Sequence, residues 1–339
     1  AGRPELFERR PRWSEGQPFH SKLELGRLSM WDSQRLVAEI LQRVDQVPET
    51  LQDLIAARAE GNPFFIEELI KMLVEDGVIV KGEEEWRVVP SRLVDMGVPP
   101  TLTGVLQARL DRLPPGERIV LQQASVVGRL FWDRAVSRIN ASTGEGIEEN
   151  EVTVRLSAMQ SREMVFQRET SAFADAREYI FKHALLREVT YENVLKRVRR
   201  AYHGLVADWL REQASERAEE YAGLIADHLE LAGRAAEAVG YLLQAGDRAC
   251  RQYANQEAIT YFRRALGLLE DAPPDASREK VETDLYERLG GVLELTGQYD
   301  EARVSYQNAL AGIPADDRTR QGHLHRMMGD TWDSQHRPD

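Results

Sequence analysis

The stretch DLYERLGGVLELTGQYDEARVSYQNALAGIP, residues 284–314, decides the fold class, because its spacing is typical of two paired helices. Small residues such as Gly290 and Ala302 let the helices approach closely, and Tyr306 fills the gap between them. Other positions of the same pattern are occupied by Leu289, Gly297, Tyr299, Ala309 and Pro314. The sequence therefore predicts a mainly α-helical fold.

An earlier copy of the pattern lies in NQEAITYFRRALGLL, residues 255–269, 44 residues before its counterpart. The corresponding positions are Ala258, Phe262 and Ala265, which match Ala302, Tyr306 and Ala309. The offsets are those of the tetratricopeptide repeat, whose usual period is about 34 residues. The Pro-rich segment 271–279 accounts for the excess as an enlarged turn, and 219–232 with 234–250 resembles a degenerate copy. We expect a TPR-like α-solenoid over residues 206–339.

Composition limits the class of protein. The chain has 339 residues, 42% of them hydrophobic and 29% charged, which is typical of a multidomain globular protein. A net charge of -12 argues against a broad surface for nucleic acid or anionic membranes. The single cysteine, Cys250, excludes an internal disulfide and fits a reducing compartment. With no apolar run long enough to span a bilayer, we expect a cytoplasmic protein.

The stretch EGNPFFIEELIKMLVEDGVIV, residues 60–80, predicts a turn, a helix and a short strand. Pro63 suits the first helical turn, where a backbone N–H lacks an intrahelical partner, and Asn62 is placed to cap the exposed amides. Gly77 ends the helix, and the residues VIV favour a strand. With helices predicted at 32–44 and 50–59, this segment forms a small helical domain over residues 29–100.

The next segment, residues 101–205, favours a winged-helix domain. Apolar spacing predicts helices at 103–113, 116–127, 131–138 and 150–161. Two strand-like stretches, MVFQRE (164–169) and EYIFKH (178–183), follow them as the hairpin that forms the wing.

The order of these segments resembles the C-terminal part of STAND-type signalling ATPases. The similarity lies in RPEL near the N-terminus, GNPFFIEELI, VPPTLTGVLQARLDRLPPGERIVLQQASVVG, FKHALLREVTYENV and the repeats. It extends over nearly the whole chain and is greatest with bacterial ATPases that accompany nucleotide-cyclase, protein-kinase or LuxR-type modules. It implies an upstream ATP-binding core with residues 1–28 as its remnant, then a helical lid, a winged helix and a repeat sensor.

The resemblance also implies site residues. In that family the turn corresponding to Gly61, Asn62 and Pro63 lies against the adenine of a bound nucleotide, where proline offers a flat apolar surface and glycine permits close approach. Arg3 matches a sensor arginine that reaches toward the terminal phosphate. His183 matches a winged-helix histidine that approaches the β-phosphate. The alternatives are an ordinary capped core helix, a surface arginine and a helix-capping histidine.

Several motifs of such ATPases are missing. The chain has no GxxxxGK[ST] segment to hold phosphates, and no strand ending in paired acids precedes Arg3 to hold Mg²⁺. The motifs GxSxG, HExxH and CxxC are missing as well. We therefore expect this chain alone not to be an enzyme, to have no catalytic or metal-binding residue, and to meet ATP or ADP only through an upstream P-loop core.

Two other functions stay open. The basic run KRVRRAYH, residues 196–203, favours DNA binding next to a winged helix, although its spacing puts Leu195, Val198 and Tyr202 on an apolar side. Alternatively, the chain is an interaction scaffold whose repeat groove binds a protein or peptide regulator. The charged start AGRPELFERRPRW and a repeat that stops midway suggest a fragment of a longer protein.

Overall fold

The fold is mainly α-helical, as the sequence predicts, with two small β-sheets. The computed structural model describes residues 25–44, 47–82, 85–89, 92, 99–143, 149–270 and 276–336. Contacts divide the chain into two compact units, Ala1–Arg109 and Leu110–Asp339. The four-segment division of the sequence is finer than these two units and stays a prediction.

The first unit packs helices around one apolar core. Its helices and strands are α1 (Met30–Ile40), α2 (Glu49–Ala59), α3 (Pro63–Glu75), β1 (Ile79–Lys81), β2 (Trp86–Val88) and α4 (Leu102–Asp111), which runs into the second unit. Core side chains include Val37, Leu41, Leu51, Ile55, Phe65, Ile66, Leu69, Met72, Leu73 and Ile79. The three helices predicted within residues 29–100 are therefore present, but the first was wrong at its end, because α1 stops at Ile40 rather than at residue 44. It begins two residues earlier than predicted because Ser29 caps it through a 3.1 Å bond from the Asp32 amide.

Strand β2 was not predicted. The segment KGEEEW, residues 81–86, turns at Gly82, which donates a backbone bond to the Glu85 carbonyl. Trp86, however, continues into a strand that pairs antiparallel with β1, with Trp86 opposite Lys81. Its indole also lies 4.7 Å from the Lys81 ammonium, a cation–π contact. Pairing with β1, which comes earlier in the chain, makes residues 86–88 a strand.

The second unit begins with helices around a three-stranded antiparallel sheet. The strand order is β3–β5–β4. The elements are α5 (Pro115–Val127), β3 (Leu130–Trp132), α6 (Asp133–Thr143), α7 (Glu149–Ser161), β4 (Val165–Gln167), β5 (Glu178–Phe181) and α8 (Ala184–Glu192). The predicted hairpin of 164–169 and 178–183 is confirmed as the pair β4–β5.

The prediction of a helix over 131–138 was wrong at its start. Phe131 and Trp132 lie in β3, where Phe131 pairs with Tyr179 and their rings stack at 5.6 Å. The helix begins only at Asp133, whose Oδ1 accepts hydrogen bonds from the Arg134 and Arg177 amides. The apolar residues 130–132 suit a helix or a strand, and pairing with β5 selects the strand.

Helices make up the rest of the second unit. They are α9 (Lys196–Ala214), α10 (Ala218–Ala232), α11 (Ala235–Arg251), α12 (Asn255–Glu270), α13 (Ala276–Leu295), α14 (Tyr299–Ala311) and α15 (Arg318–His336), with a short 3₁₀ turn at Ser215–Arg217. The prediction of an enlarged turn over 271–279 was wrong at its end, because α13 begins at Ala276. The remaining residues, 271–275, lie outside the described residues. None of the helices in the described part of the chain is both long enough and apolar enough to cross a membrane.

The 44-residue repeat is visible in side-chain packing. A Cβ built on Gly290 would lie 2.5 Å from Tyr306 Cε1, and a Cβ built on Gly246 would lie 2.3 Å from Phe262 Cε1. Both ring positions are fully buried. The predicted role of Gly290 in close helix approach is therefore confirmed, and Gly246 has the same role in the earlier copy.

Candidate functional site

The predicted turn before α3 forms one side of a groove in the first unit. Glu60 and Gly61 both have left-handed backbone conformations, with φ of 48° and 76°. The Gly61 carbonyl accepts a 2.8 Å bond from the Leu28 amide, and a Cβ on Gly61 would lie 2.3 Å from the Leu28 oxygen. Only glycine fits there, since both the positive φ and the close approach exclude a side chain.

Asn62 is the N-cap of α3, as predicted from the sequence. Its Oδ1 accepts hydrogen bonds from the amides of Phe64 at 3.1 Å and Phe65 at 3.4 Å. Those two amides are thus already bonded, and they would reach a ligand only if Asn62 released them. Pro63, at the first helical position, is exposed. The turn therefore offers an apolar ring surface rather than open N–H donors.

The groove has a volume of about 450 Å³, within the range of small-molecule clefts. Its lining residues are Leu25, Gly26, Arg27, Ala59, Glu60, Gly61, Asn62, Pro63, Phe65, Pro100, Thr101 and Leu102. At its edge the exposed Arg27 guanidinium pairs with Glu60 at 3.2 Å. Most other lining groups are apolar or backbone, so the groove suits a flat, largely apolar group beside a polar edge.

Helix α3 is anchored by a buried ionic cluster that the sequence analysis did not identify. Arg109, only 1% exposed, donates to both oxygens of Glu75 through Nε, and its Nη1 donates to Glu68, which is 2% exposed. Lys71 also approaches Glu68, at 3.4 Å. Burial alone would lower the pKa of Arg109, but the bonds and charges of Glu75 and Glu68 outweigh it and the pKa is raised.

A sequence signal for this anchor exists. Glu68 and Glu75 are seven residues apart, so they share one face of α3, which also carries the buried Phe65 and Met72. An acid on a buried face requires a cation, since an unpaired buried carboxylate is costly. The sequence does not indicate which of the arginines supplies the cation.

His183 belongs to the second unit. It is the N-cap residue of α8, with extended φ and ψ, and is partly buried. Among the residues that the structure describes, which include the whole first turn of α8, the His183 side chain makes no capping hydrogen bond to that turn. The structure thus brings Gly61, Asn62 and Pro63 together in one groove of the first unit, and His183 stands at the start of a helix of the second unit. Arg3 lies outside the described residues.

The comparisons with known proteins find similarity over parts of the chain. Residues 29–85 match a family described as a domain of unknown function, DUF8739. This range includes α1–α3 and the Gly61–Pro63 turn.

Over 134 residues the chain is 29% identical to an uncharacterized protein, R02095, of Rhizobium meliloti (strain 1021). The similar region covers 39% of this chain and 13% of that protein's length. Solved structures gave no match. Residues 29–85 are therefore similar to a family whose function is open.

Proposed function

We propose that this chain is a regulatory segment of an ATP-dependent signalling protein of the STAND type. In this proposal the first unit is a lid that contacts a nucleotide held by an upstream P-loop core, and the helical repeats bind a protein regulator. The observation that carries the proposal is the groove at Gly61–Pro63, which combines an exposed proline ring, a glycine required by close packing and a polar edge.

The residues present fit the base of a nucleotide better than its phosphates. Pro63 and Leu25 provide apolar surface, and Gly61 lets the backbone approach a ring closely. The sequence has no P-loop, so phosphates and Mg²⁺ would be held by the core. ATP bound to the upstream core would supply the energy for the reaction of that core. Residues of this chain would only detect which nucleotide is bound there.

The arrangement of the second unit supports a winged helix. Its order is helix, strand, two helices and a two-stranded hairpin, and the first strand pairs with the last to give the sheet β3–β5–β4. His183 is the second residue after β5 and the N-cap residue of α8, where the resemblance places a phosphate-contacting histidine. We propose that it senses the nucleotide, with Arg3 as a second sensor.

Gly290 packs on Tyr306 in the same way as Gly246 packs on Phe262, 44 residues earlier. This correspondence supports a TPR-like array over α11–α14. A groove of about 580 Å³ lined by α13, α14 and α15 is a candidate surface for a regulator. Its lining residues are Asp284, Glu287, Arg288, Tyr306, Arg320, His323 and Met327. This groove also supports the alternative function, an interaction scaffold without nucleotide dependence.

DNA binding has less support. Arg199 pairs with Glu192, and Arg200 Nε donates to the Ala232 carbonyl at 2.8 Å, so two of the basic groups of KRVRRAYH are used within the unit. Tyr202 is buried, as predicted, whereas Leu195 is 75% exposed and does not belong to the apolar side. Leu195 precedes the first turn of α9 as its N-cap residue, which is why helical spacing misplaced it.

The test is nucleotide affinity in the full product of the gene, measured with a fluorescent ADP analogue. We expect a P-loop module in that product, and we expect Pro63→Ala to weaken ADP binding about three- to tenfold by removing the ring surface. Pro115→Ala is the matched control, since Pro115 is also an exposed proline at the first position of a helix.

A product without a P-loop would contradict the proposal. If wild type and Pro63→Ala bound ADP with equal affinity, the groove at Gly61–Pro63 would not be the nucleotide contact. Either result would leave the interaction scaffold as the function.

A further inference from the structure

Three side chains on three successive helices form a continuous line in the second unit, partly buried at Tyr191 and buried at two histidines. The Tyr191 hydroxyl on α8 lies 2.9 Å from His203 Nε2 on α9. His203 Nδ1 lies 2.8 Å from His228 Nδ1 on α10. His203 and His228 are 2% and 3% exposed. We call Tyr191, His203 and His228 the imidazole chain.

The protons of the imidazole chain have one consistent arrangement. His228 also bonds the backbone of Val127, the last residue of α5, and a bond that raises its pKa is one that the ring donates to the carbonyl. With Nδ1 taken by His203, the donor is Nε2–H, so a neutral His228 accepts at Nδ1. His203 must then donate from Nδ1 and accept from the Tyr191 hydroxyl at Nε2.

Both rings are neutral because of their surroundings. Burial, followed by the positive charges of Arg187 and Arg199, lowers the pKa of His203 to about 4. Burial is the main cause that lowers the pKa of His228 to about 3, and His203 is the second. The hydrogen bond to Val127 raises this pKa but does not outweigh them. Only a neutral pair leaves each ring one donor and one acceptor, which this line requires.

At the α8 end of the imidazole chain, two arginines hold the Tyr191 ring in place. The guanidinium groups of Arg187 and Arg199 each lie 4.5 Å from the centre of the Tyr191 ring. Arg187 Nε also donates to the Ser125 carbonyl at 2.7 Å. Arg187 and Tyr191 are four residues apart, so both lie on one side of α8, the helix that follows His183.

We propose that the imidazole chain couples α8 to α10, so that displacement of the helix that begins at His183 disturbs the helices that follow. His203, on α9, joins the two helices through its two ring nitrogens. Breaking either bond leaves a buried imidazole nitrogen unsatisfied, so the line is made or lost as a unit. The role of this coupling in nucleotide signalling rests on the proposed function, whereas the coupling itself does not.

The test is a double-mutant cycle on the whole chain, with urea unfolding as the measurement. Tyr191 and His228 are joined only through His203 in the line, so independent sites would give additive effects. We expect Tyr191→Phe to raise the unfolding equilibrium constant about tenfold in wild type, and less than threefold in a His228→Leu background, where the line is already broken. The same factor in both backgrounds overturns the proposal.

A matched control is Tyr306→Phe. The Tyr306 hydroxyl donates to Glu294 at 2.7 Å, and both residues lie on helices other than α8, α9 and α10, so its effect should be equal in both backgrounds. A second measurement does not depend on variants. Nitrogen-15 NMR of the imidazoles should find His203 protonated at Nδ1 and His228 at Nε2 at neutral pH. The opposite arrangement, or a charged ring, also overturns the proposal.

The two proposals fail separately. Additive effects in the cycle, with ADP binding intact in the full product, overturn the coupling alone. A non-additive cycle without nucleotide binding in the full product overturns the nucleotide function and leaves the coupling in place.

Discussion

The two units bury polar groups in opposite ways. In the first unit, Arg109 is charged and is balanced by Glu68 and Glu75. In the second unit, His203 and His228 are neutral and are balanced by the direction of their hydrogen bonds. Both clusters fix the position of a helix that begins at a candidate site residue, α3 after Asn62 and α8 at His183.

This difference has a physical consequence. An ionic cluster depends on having all its partners, because removal of one leaves uncompensated charge in a low-dielectric environment. A neutral chain depends on protonation state, because one added proton turns an acceptor into a donor. The first unit should therefore be sensitive to substitution, and the second unit to acid.

The largest expected effect is that of Arg109→Met. It leaves Glu68 buried without its main partner, and we expect a loss of about 3–5 kcal/mol in the free energy of unfolding. Urea unfolding with hydrogen exchange of α3 amides measures it. Arg263→Met is the control, because the Arg263–Glu301 pair is about half exposed and should contribute less than about 1 kcal/mol. Equal losses would mean that Arg109 does not anchor α3.

A smaller effect is expected from acid. In the folded protein both buried imidazoles remain neutral down to their lowered pKa values of about 4 and 3. In the unfolded chain they take up protons near pH 6.5, so the unfolded state gains stability as the pH falls. From pH 7.5 to 5.5 the second unit should lose about 2–3 kcal/mol, measured by urea unfolding followed through exchange of α10 amides.

The first unit provides an internal control for this pH dependence. The sequence of residues 1–109 contains one histidine, His20, so its unfolding free energy should change little over the same range. A double variant, His203→Gln with His228→Gln, should remove most of the pH dependence of the second unit. A parallel decline in both units would assign the effect to other groups.

The smallest effect distinguishes the hydroxyl from the ring. Tyr191→Phe keeps the ring between Arg187 and Arg199 and removes only the donor to His203, so we expect a loss of about 1–2 kcal/mol. Tyr261→Phe should cost less than about 0.5 kcal/mol, because the Glu257 carboxylate stays in contact with solvent. A loss for Tyr191→Phe as small as that of the control would show that the hydroxyl is dispensable.

Local signals in the sequence predicted most of the helices. Asn62 and Pro63 predicted the start of α3, because capping and the fixed φ of proline act over one helical turn. The spacing of Ala258, Phe262 and Ala265 predicted three residues that are fully buried. The Gly61–Pro63 turn could likewise be identified from sequence, whereas the groove around it needed Leu25, Pro100 and Leu102 from distant segments.

The sequence by itself determined the mainly helical class, the 44-residue repeat and the capped turn before α3, since each depends on neighbours within a few helical turns. Tertiary structure alone decided that Phe131 lies in a strand opposite Tyr179, that Arg109 is the partner of Glu68, and that His203 meets His228. Each of these outcomes depends on a partner 25 to 48 residues away. Pairing at such distances is set by packing of the whole unit, which no local propensity encodes.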